Sequence, residues 1–357
     1  MSPSESISIA GAGPAGLTAA ITLALAGYPV IVHERQQDVG LRFCEDYQAL
    51  ENWTSEENVL DTIRRLGIQT DFYYRPINRL SSYSPHSAAH VTVAEPHGYL
   101  IRRGCRSGSL DSALKHQALD LGVDVRFESS LKETEADIVA TGPRHACAIA
   151  VGCVFDTDVA ECAAVLLDDR LAPKGYAYLL VADGRGTLAT VLYDRFSEGK
   201  ACLERTTRRV QELLGLTMHN IQHFGGYGTF DLTRPLTHGR QRYVGEAAGL
   251  QDYLFGFGIR HAMVSGFLAG RSIIEGADYD RLCRMELGCH LRTSLVNRYV
   301  YEFMGQTGYD LLVRLSSRAR NQRTFWSKIY TKPVLRMVLY PFALRAAKEK
   351  IRGRAQF

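Results

Sequence analysis

No run of about 18 apolar, charge-free residues occurs in this 357-residue chain, which excludes an ordinary transmembrane helix. Its eight cysteines, at Cys44, Cys105, Cys147, Cys153, Cys162, Cys202, Cys283 and Cys289, include no CxxC pair. Cys283, Cys289 and His290 stand close together without the second ligand pair of a zinc site, so no metal is expected and the thiols are read as buried or idle. The first ~25 residues show neither a basic leader nor a small-residue cleavage site. The expectation is a cytoplasmic protein in a reducing compartment. What the chain does have is 46% apolar and 22% charged residues, the balance of a globular protein with a full core. Its length allows two domains, or one carrying a large insertion. The net charge of +4 conceals a division. Residues 281–357 hold 16 Lys/Arg against 4 Asp/Glu, a balance of +12, which leaves −8 on the rest.

The segment SISIAGAGPAGLTAAITLALAGYPVIVHER, residues 6–35, is the most informative. Ile7 and Ile9 belong to a short buried strand, and Gly11, Gly13 and Gly16 form GxGxxG. A helix over Leu17–Ala26 follows, Gly27 ends it, and VIVHE makes a second strand ending in Glu34. Gly11 permits the tight turn, Gly13 lets a pyrophosphate approach the backbone, and Gly16 lets helix pack on strand. The helix N-terminus offers unpaired N–H groups to phosphate. Glu34, 18 residues after Gly16, stands where a carboxylate accepts from the adenosine ribose. The order of parts points to a dinucleotide, without separating FAD from NAD. No second GxGxxG marks a separate nicotinamide domain.

Three further stretches, taken with the first, resemble FAD-dependent enzymes of the p-hydroxybenzoate hydroxylase superfamily, particularly the geranylgeranyl reductase family. GAGPAG, with Pro14 and Ala15, and Glu34 followed by Arg35, match the first motif. GYLIRRGCRSGSLDSALKHQALDLGVDVRF (98–127) is similar to the second segment, where an arginine before a helix contacts the flavin; Arg103 is the first choice and Arg102 the second. ADIVATGP (136–143), with Thr141 and Gly142, resembles the strand and turn that return to the adenosine side. VGEAAGLQDYLFGFGIRHAMVSG (244–266) resembles the late motif. The resemblance implies that Gly245 and Glu246 approach the ribityl chain. It also implies that backbone N–H groups at Gly256, Gly258 and Ile259, with a helix from Arg260, meet the flavin N1–C2=O edge. Two departures stand out: Glu246 replaces the usual Asp, and no proline precedes the glycines. The cofactor implied is FAD, re-reduced by NAD(P)H or ferredoxin.

Residues 71–96 and 151–235 read as strands separated by turns. The fold expected is α/β, a Rossmann-type FAD-binding domain over 1–70, 97–150 and 236–275 with an antiparallel substrate sheet inserted from 71–96 and 151–235. A basic helical region, 276–357, follows. Tyr176 and Tyr178 alternate on a strand and share one face, lining an apolar tunnel or filling a core. In GLRFCEDYQALENW (40–53), Cys44 matches a flavin-proximal cysteine of the reductases and is either a proton donor or a small packing residue. Glu45, Asp46 and Gln48 share that loop without an assigned role.

The implied reaction is reduction of a carbon–carbon double bond in a lipophilic, isoprenoid or polyene-like substrate. The alternative is an FAD-dependent monooxygenase of an apolar or aromatic substrate, although ATGP stands where hydroxylases usually carry Asp-Gly. The Trp-x-Trp-x-x-Pro motif of flavin halogenases is absent. From another class, a flavin-bearing binding module without turnover remains open. The tail's apolar residues recur at helical spacing between arginines, and Pro333 and Pro341 divide its last run into at least two segments. It is read either as a solvated bundle closing the cavity or as a peripheral membrane patch. Nucleic acid is not expected, since no recognised motif accompanies the charge.

Overall fold

A computed structural model describes residues 5–331 and 333–354. Residues 1–4 and 355–357, at the ends of the expected first and last regions, lie outside the described residues. The fingerprint strands β1 (Ile7–Ala10) and β2 (Val30–His33) run parallel, pairing Ile7 with Val30 and Ala10 with His33. Around them β8 (Asp124–Arg126), β9 (Ile138–Val139), β15 (Thr237–His238) and β16 (Gln241–Tyr243) complete a sheet of order β15-β16-β9-β1-β2-β8. Only the β15/β16 pair is antiparallel. The expected cofactor segments therefore converge on one sheet, although they are separated by more than a hundred residues in sequence.

Helix α1 (Pro14–Leu25) begins three residues before the expected start, because Pro14 carries no N–H to lose at the first helical turn. It packs along α5 (Ile259–Glu275), whose small residues permit unusually close approach. A Cβ added at Gly266 would stand 2.1 Å from the Ala15 carbonyl oxygen. The helical glycines of the late motif are thus packing devices as well as a route into the helix. Helix α3 (Leu110–Asp120) lies against α1, and its N-cap Ser109 accepts from the Ser112 N–H at 3.1 Å.

The second sheet has seven strands in the order β14-β10-β13-β12-β11-β5-β6. They are β5 (Arg79–Tyr83), β6 (Ala88–Thr92), β10 (Ala148–Asp156), β11 (Cys162–Leu166), β12 (Tyr176–Ala182), β13 (Arg185–Leu192) and β14 (His219–Gly228). Every pair is antiparallel except β5/β11. Period-two alternation divides its faces. Ala177, Leu179, Val181 and Leu188 pack beneath α4 (Gly199–Leu214) with Leu203 and Val210, while Tyr176, Tyr178 and Leu180 face the interior cavity.

A small third sheet joins the two. Its strands are β3 (Tyr47–Glu51), β4 (Tyr74–Pro76) and β7 (Gly98–Arg102), with β7 central. Residues 71–96 therefore divide: β4 pairs with β7, while β5 and β6 enter the seven-stranded sheet. Helix α2 (Val59–Arg65) packs beside α5.

The basic C-terminal region forms α6 (Tyr279–Glu286), α7 (Gly288–Arg318), α8 (Gln322–Tyr330) and α9 (Pro333–Arg354). Gly305, at φ 51°, kinks α7. Pro341 sits inside α9, so the last run is one helix and not two segments. Packing of α9 on α7 compensates for the backbone hydrogen bond that proline removes. Helix α7 docks through Tyr301 Oη to Gly175 O at 2.7 Å, Tyr309 Oη to Asp169 Oδ1 at 3.0 Å and Arg298 Nη1 to Leu254 O at 3.0 Å. No described helix is long and apolar enough to cross a membrane.

Candidate active site

A cavity of about 860 Å³ runs from the first glycine turn, between the two large sheets, to the C-terminal helices. At its first end the fingerprint has the geometry its sequence implies. Gly11 has φ +103°, and a Cβ there would lie 2.3 Å from the Ala140 carbonyl oxygen. At Gly16 a Cβ would lie 2.0 Å from Gly11 O, so both close approaches require glycine. Gly13 leaves open space where a Cβ would stand, beside the N-terminus of α1. Glu34 follows β2 and accepts from Ala12 N at 2.9 Å and Gln36 N at 3.0 Å. Pro14, Ala15, Arg35, Thr141 and Gly142 share this end of the cavity wall, and Gly16 lies just behind it. Open space at Gly13, unpaired helix N–H groups and a carboxylate one strand away fit the dinucleotide half of FAD.

The middle of the cavity differs from expectation in three ways. Arg103 is buried, and its guanidinium is already engaged. Its Nε and Nη2 donate to Asp111 at 2.8 Å each, and Nη1 donates to Gln48 Oε1 at 3.1 Å. Three of its five N–H donors are thereby used, and the group lies 4.0 Å over the Phe43 ring. Arg103 orients Gln48 at the wall. Arg102 lies instead over Tyr73, 4.8 Å from the ring centre, and does not line the cavity.

The second difference concerns the late motif. Glu246 lines the cavity, with Oε2 paired to Arg42 Nη1 at 2.8 Å and Oε1 accepting from Gln251 Nε2. A carboxylate has about four acceptor positions, so a ribityl hydroxyl can join these partners. Gly245, at φ +56°, donates its N–H to Ser265 Oγ at 2.9 Å and stands behind the wall. Gly256, at φ +77°, cannot offer its N–H to a flavin because it donates to Asp252 O at 2.9 Å in a tight turn closed by Asp252 N to Phe257 O. The helix-end N–H groups near Gly258 and Ile259 remain suited to that edge, and α5 starts at Ile259, not Arg260.

Third, Cys44 does not line the cavity; Asp46 and Gln48 do. Glu45 adopts φ 59°, its carboxylate tucks beside Gly104, and it accepts from Arg106 N at 3.1 Å. This local left-handed turn brings Asp46 to the wall in place of Cys44. Burial, then Asp46, pushes the Cys44 thiol up, with Arg185 opposing. Asp46 is only 1% exposed and accepts from Cys44 N at 3.2 Å and Gln48 Nε2 at 2.9 Å. Burial raises its carboxyl above the ordinary range, against the Gln48 hydrogen bond and Arg103. Asp46 precedes β3, and no sequence spacing announced its inward turn, which depends on the left-handed Glu45.

The remaining end is aromatic. Tyr176 and Tyr178 have ring centres 6.2 Å apart, and Tyr176 Oη donates to Phe255 O at 2.6 Å. Both line the cavity and also pack against the buried clusters around it. Phe255, Phe257, Trp53 and Trp326 form edge contacts beyond them, and Leu312, Val313 and Ser316 of α7 close the wall. Closure of the cavity by C-terminal helices is one of the two readings offered for the tail, although no motif named the residues that do it.

Behind this end lies a buried polar group. Asp252 accepts from Phe255 N at 2.7 Å and Tyr330 Oη at 3.0 Å, and the ring of Tyr330 stacks 4.7 Å from that of His290. Burial raises the Asp252 carboxyl to about 6 and lowers His290 to about 3. Glu51, at the end of β3, is raised to about 7, chiefly by burial, with Arg260 opposing.

The description "NAD(P)-binding Rossmann-like domain" matches residues 9–53. No curated protein sequence matches the chain significantly. Solved structures match along nearly its whole length. A geranylgeranyl bacteriochlorophyll reductase-like protein from Thermoplasma acidophilum aligns with TM-score 0.70 at 18% identity, covering 97% of this chain and 99% of that one. A flavoprotein/dehydrogenase from Cytophaga hutchinsonii gives 0.61 at 16%, covering 98% and 100%. The p-nitrophenol 4-monooxygenase PnpA from Pseudomonas putida gives 0.58 at 14%, covering 95% and 98%. The resemblance read from the motifs thus holds for the fold: a parallel Rossmann-like sheet, a separate antiparallel sheet and C-terminal helices, the architecture of this reductase-like protein and this monooxygenase.

Proposed function

We propose that this protein is an FAD-dependent oxidoreductase that reduces carbon–carbon double bonds of a lipophilic, isoprenoid or polyene-like substrate. The observation that carries the reading is the continuity of one cavity from a dinucleotide turn to a long aromatic compartment. Gly11, Gly13, Pro14, Ala15 and Gly16 would hold the pyrophosphate, and Glu34 with Arg35 the adenosine ribose. Thr141 and Gly142 would border that half. Gly245 and Glu246 would adjoin the ribityl chain, with Arg42 and Gln251 fixing the Glu246 carboxylate. Arg103, acting through Gln48, would shape the flavin-facing wall, and the N-terminus of α5 at Gly258 and Ile259 would face the ring. Gly256 would contribute the turn. Once bound and reduced, the flavin supplies a hydride to the substrate.

Tyr176 and Tyr178 would hold an apolar chain against the sheet, while Trp53, Phe257 and Trp326 exclude water from its far end. Cys44, behind the wall, serves the packing of the 40–48 turn in this reading. NAD(P)H or ferredoxin is the external reductant. The outer surface of α7 and α9 exposes Phe303 (85%) and Met337 (76%) among arginines, which suits peripheral contact with an anionic membrane from which such a substrate is drawn.

The likeness to a monooxygenase supports a second reading, hydroxylation of an apolar or aromatic substrate by the same scaffold. One experiment separates them. Dithionite-reduced, FAD-loaded protein is mixed anaerobically with polyprenyl and conjugated polyene compounds. Flavin reoxidation with a two-hydrogen mass gain supports reduction. Reoxidation only by oxygen, with oxygen inserted into the product, sinks it in favour of hydroxylation.

A further inference from the structure

We propose that Asp46 is the proton donor that completes the reduction, an inference that rests on the double-bond reading above. Among the described residues, five carboxyl side chains line the cavity: Glu34, Asp38, Asp46, Asp111 and Glu246. Three are held by cations, Asp38 by Lys115 at 2.7 Å, Asp111 by Arg103 and Glu246 by Arg42. These three carboxylates are turned to their cationic partners and committed to those ion pairs. Glu34 has only backbone amide partners but belongs to the first glycine turn, the adenosine end. Asp46 remains, held by two uncharged donors in the stretch of wall between that turn and the two tyrosines.

Its surroundings favour the acid form. Burial acts on it most strongly, opposed by the Gln48 hydrogen bond, then by the Arg103 charge and backbone hydrogen bonds. Tyr178, on β12, senses Asp46: burial first and then the Asp46 charge push its phenol far up. On its own turn Asp46 faces Cys44 and Glu45, and Arg185 of β13 donates to Cys44 O at 3.2 Å. Tyr178 stays protonated throughout and is a weaker acid than a carboxyl. Gln48 has no proton to lose. The carboxyl is the group here whose acidity suits delivery to a developing carbanion.

The step balances as follows. One alkene carbon receives the hydride from the reduced cofactor, and the other receives the Asp46 proton. The π bond gives way to two C–H bonds, the alkene gains two electrons and the cofactor returns to its oxidised form. The Asp46 carboxylate retakes a proton from water, and NAD(P)H or an iron–sulfur protein restores the reduced cofactor.

The test uses FAD-loaded full-length protein and the variants Asp46→Asn, Asp46→Glu and Cys44→Ser. In anaerobic single turnovers, Asp46→Asn should slow alkene-driven flavin reoxidation about 100-fold or more. Asp46→Glu should restore part of the rate, and Cys44→Ser should stay within about threefold of wild type. In D2O the wild type should place solvent deuterium on one face of the product carbon, and Asp46→Asn should scramble it. Independently of turnover, a carbon-13 titration of aspartate-labelled protein should show a carboxyl, assigned by its loss in Asp46→Asn, ionising above the ordinary value of about 3.9. Wild-type rate and stereochemistry in folded Asp46→Asn, or a carboxyl ionising at or below that value, overturns the assignment while leaving alkene reduction intact. A wild type that no alkene reoxidises overturns both.

Discussion

Replacing Glu51 by glutamine should make the protein more stable at alkaline pH than at acid pH, relative to wild type. Glu51 is 1% exposed, and its carboxyl is raised from 4.5 to about 7, first by burial and further by the charge of Asp252, with Arg260 opposing. A raised folded-state value means that the native protein keeps this proton where the unfolded chain has released it. The associated stability is complete below about 4.5 and is lost as pH rises through about 7. The shift of roughly 2.5 units, at about 1.36 kcal/mol each, corresponds to about 3 kcal/mol. Glutamine keeps the shape and does not titrate, so any cost of burying its amide is constant with pH. Asp252, raised to about 6, changes stability in the same direction, whereas His290, lowered to about 3, acts oppositely at low pH. Both remain in the variant, so the difference between the two proteins reports Glu51 together with its repulsion by Asp252. Guanidinium denaturation of each, from about pH 5 to about pH 8, should show the variant gaining about 2–3 kcal/mol on wild type. Parallel stability curves, or a gap that narrows as pH rises, would mean that folding does not hold a proton on Glu51.

Gly11→Ala should abolish FAD retention on a desalting column, since its methyl would meet Ala140 O at 2.3 Å on a backbone at φ +103°. Tyr330→Phe removes the hydroxyl that Asp252 accepts and should cost about 1–3 kcal/mol in denaturant unfolding, together with faster flavin loss. Met337→Glu with Val338→Glu, both on the exposed face of α9, should reduce co-sedimentation with phosphatidylglycerol vesicles roughly tenfold or more, a loss scaled to about 1.5–3 kcal/mol per apolar side chain. Unchanged co-sedimentation would remove the membrane from the proposal.

The cofactor end was legible in sequence because its determinants are local. A turn that needs Gly11, the helix after it and an acid after the second strand lie within 26 consecutive residues, 9–34, although the helix starts at Pro14 and not Leu17. The alternation of Tyr176 and Tyr178 was equally readable, and their placement on the cavity face followed from which side α4 covered. The 40–48 turn was not readable. A positive φ at Glu45, held by contacts with Gly104 and Arg106, decides that Asp46 faces inward and Cys44 does not. Nor could residue spacing show that Glu246 meets Arg42, 204 positions away, before it meets any ligand. Pro341 argued for a helix break by local rules, and the packing of α9 on α7 overrode them.

Arg298 of α7 ties the Leu254 carbonyl beside the glycine turn, and Tyr330 of α8 holds Asp252 within it. The first glycine turn emerges within the first few dozen residues, yet the turn at 252–257 gains its supports only when residue 330 is out. The glycine turn leans on Ala140 and α1 on α5, so both the first motif and the 252–257 turn reach their final packing late in synthesis.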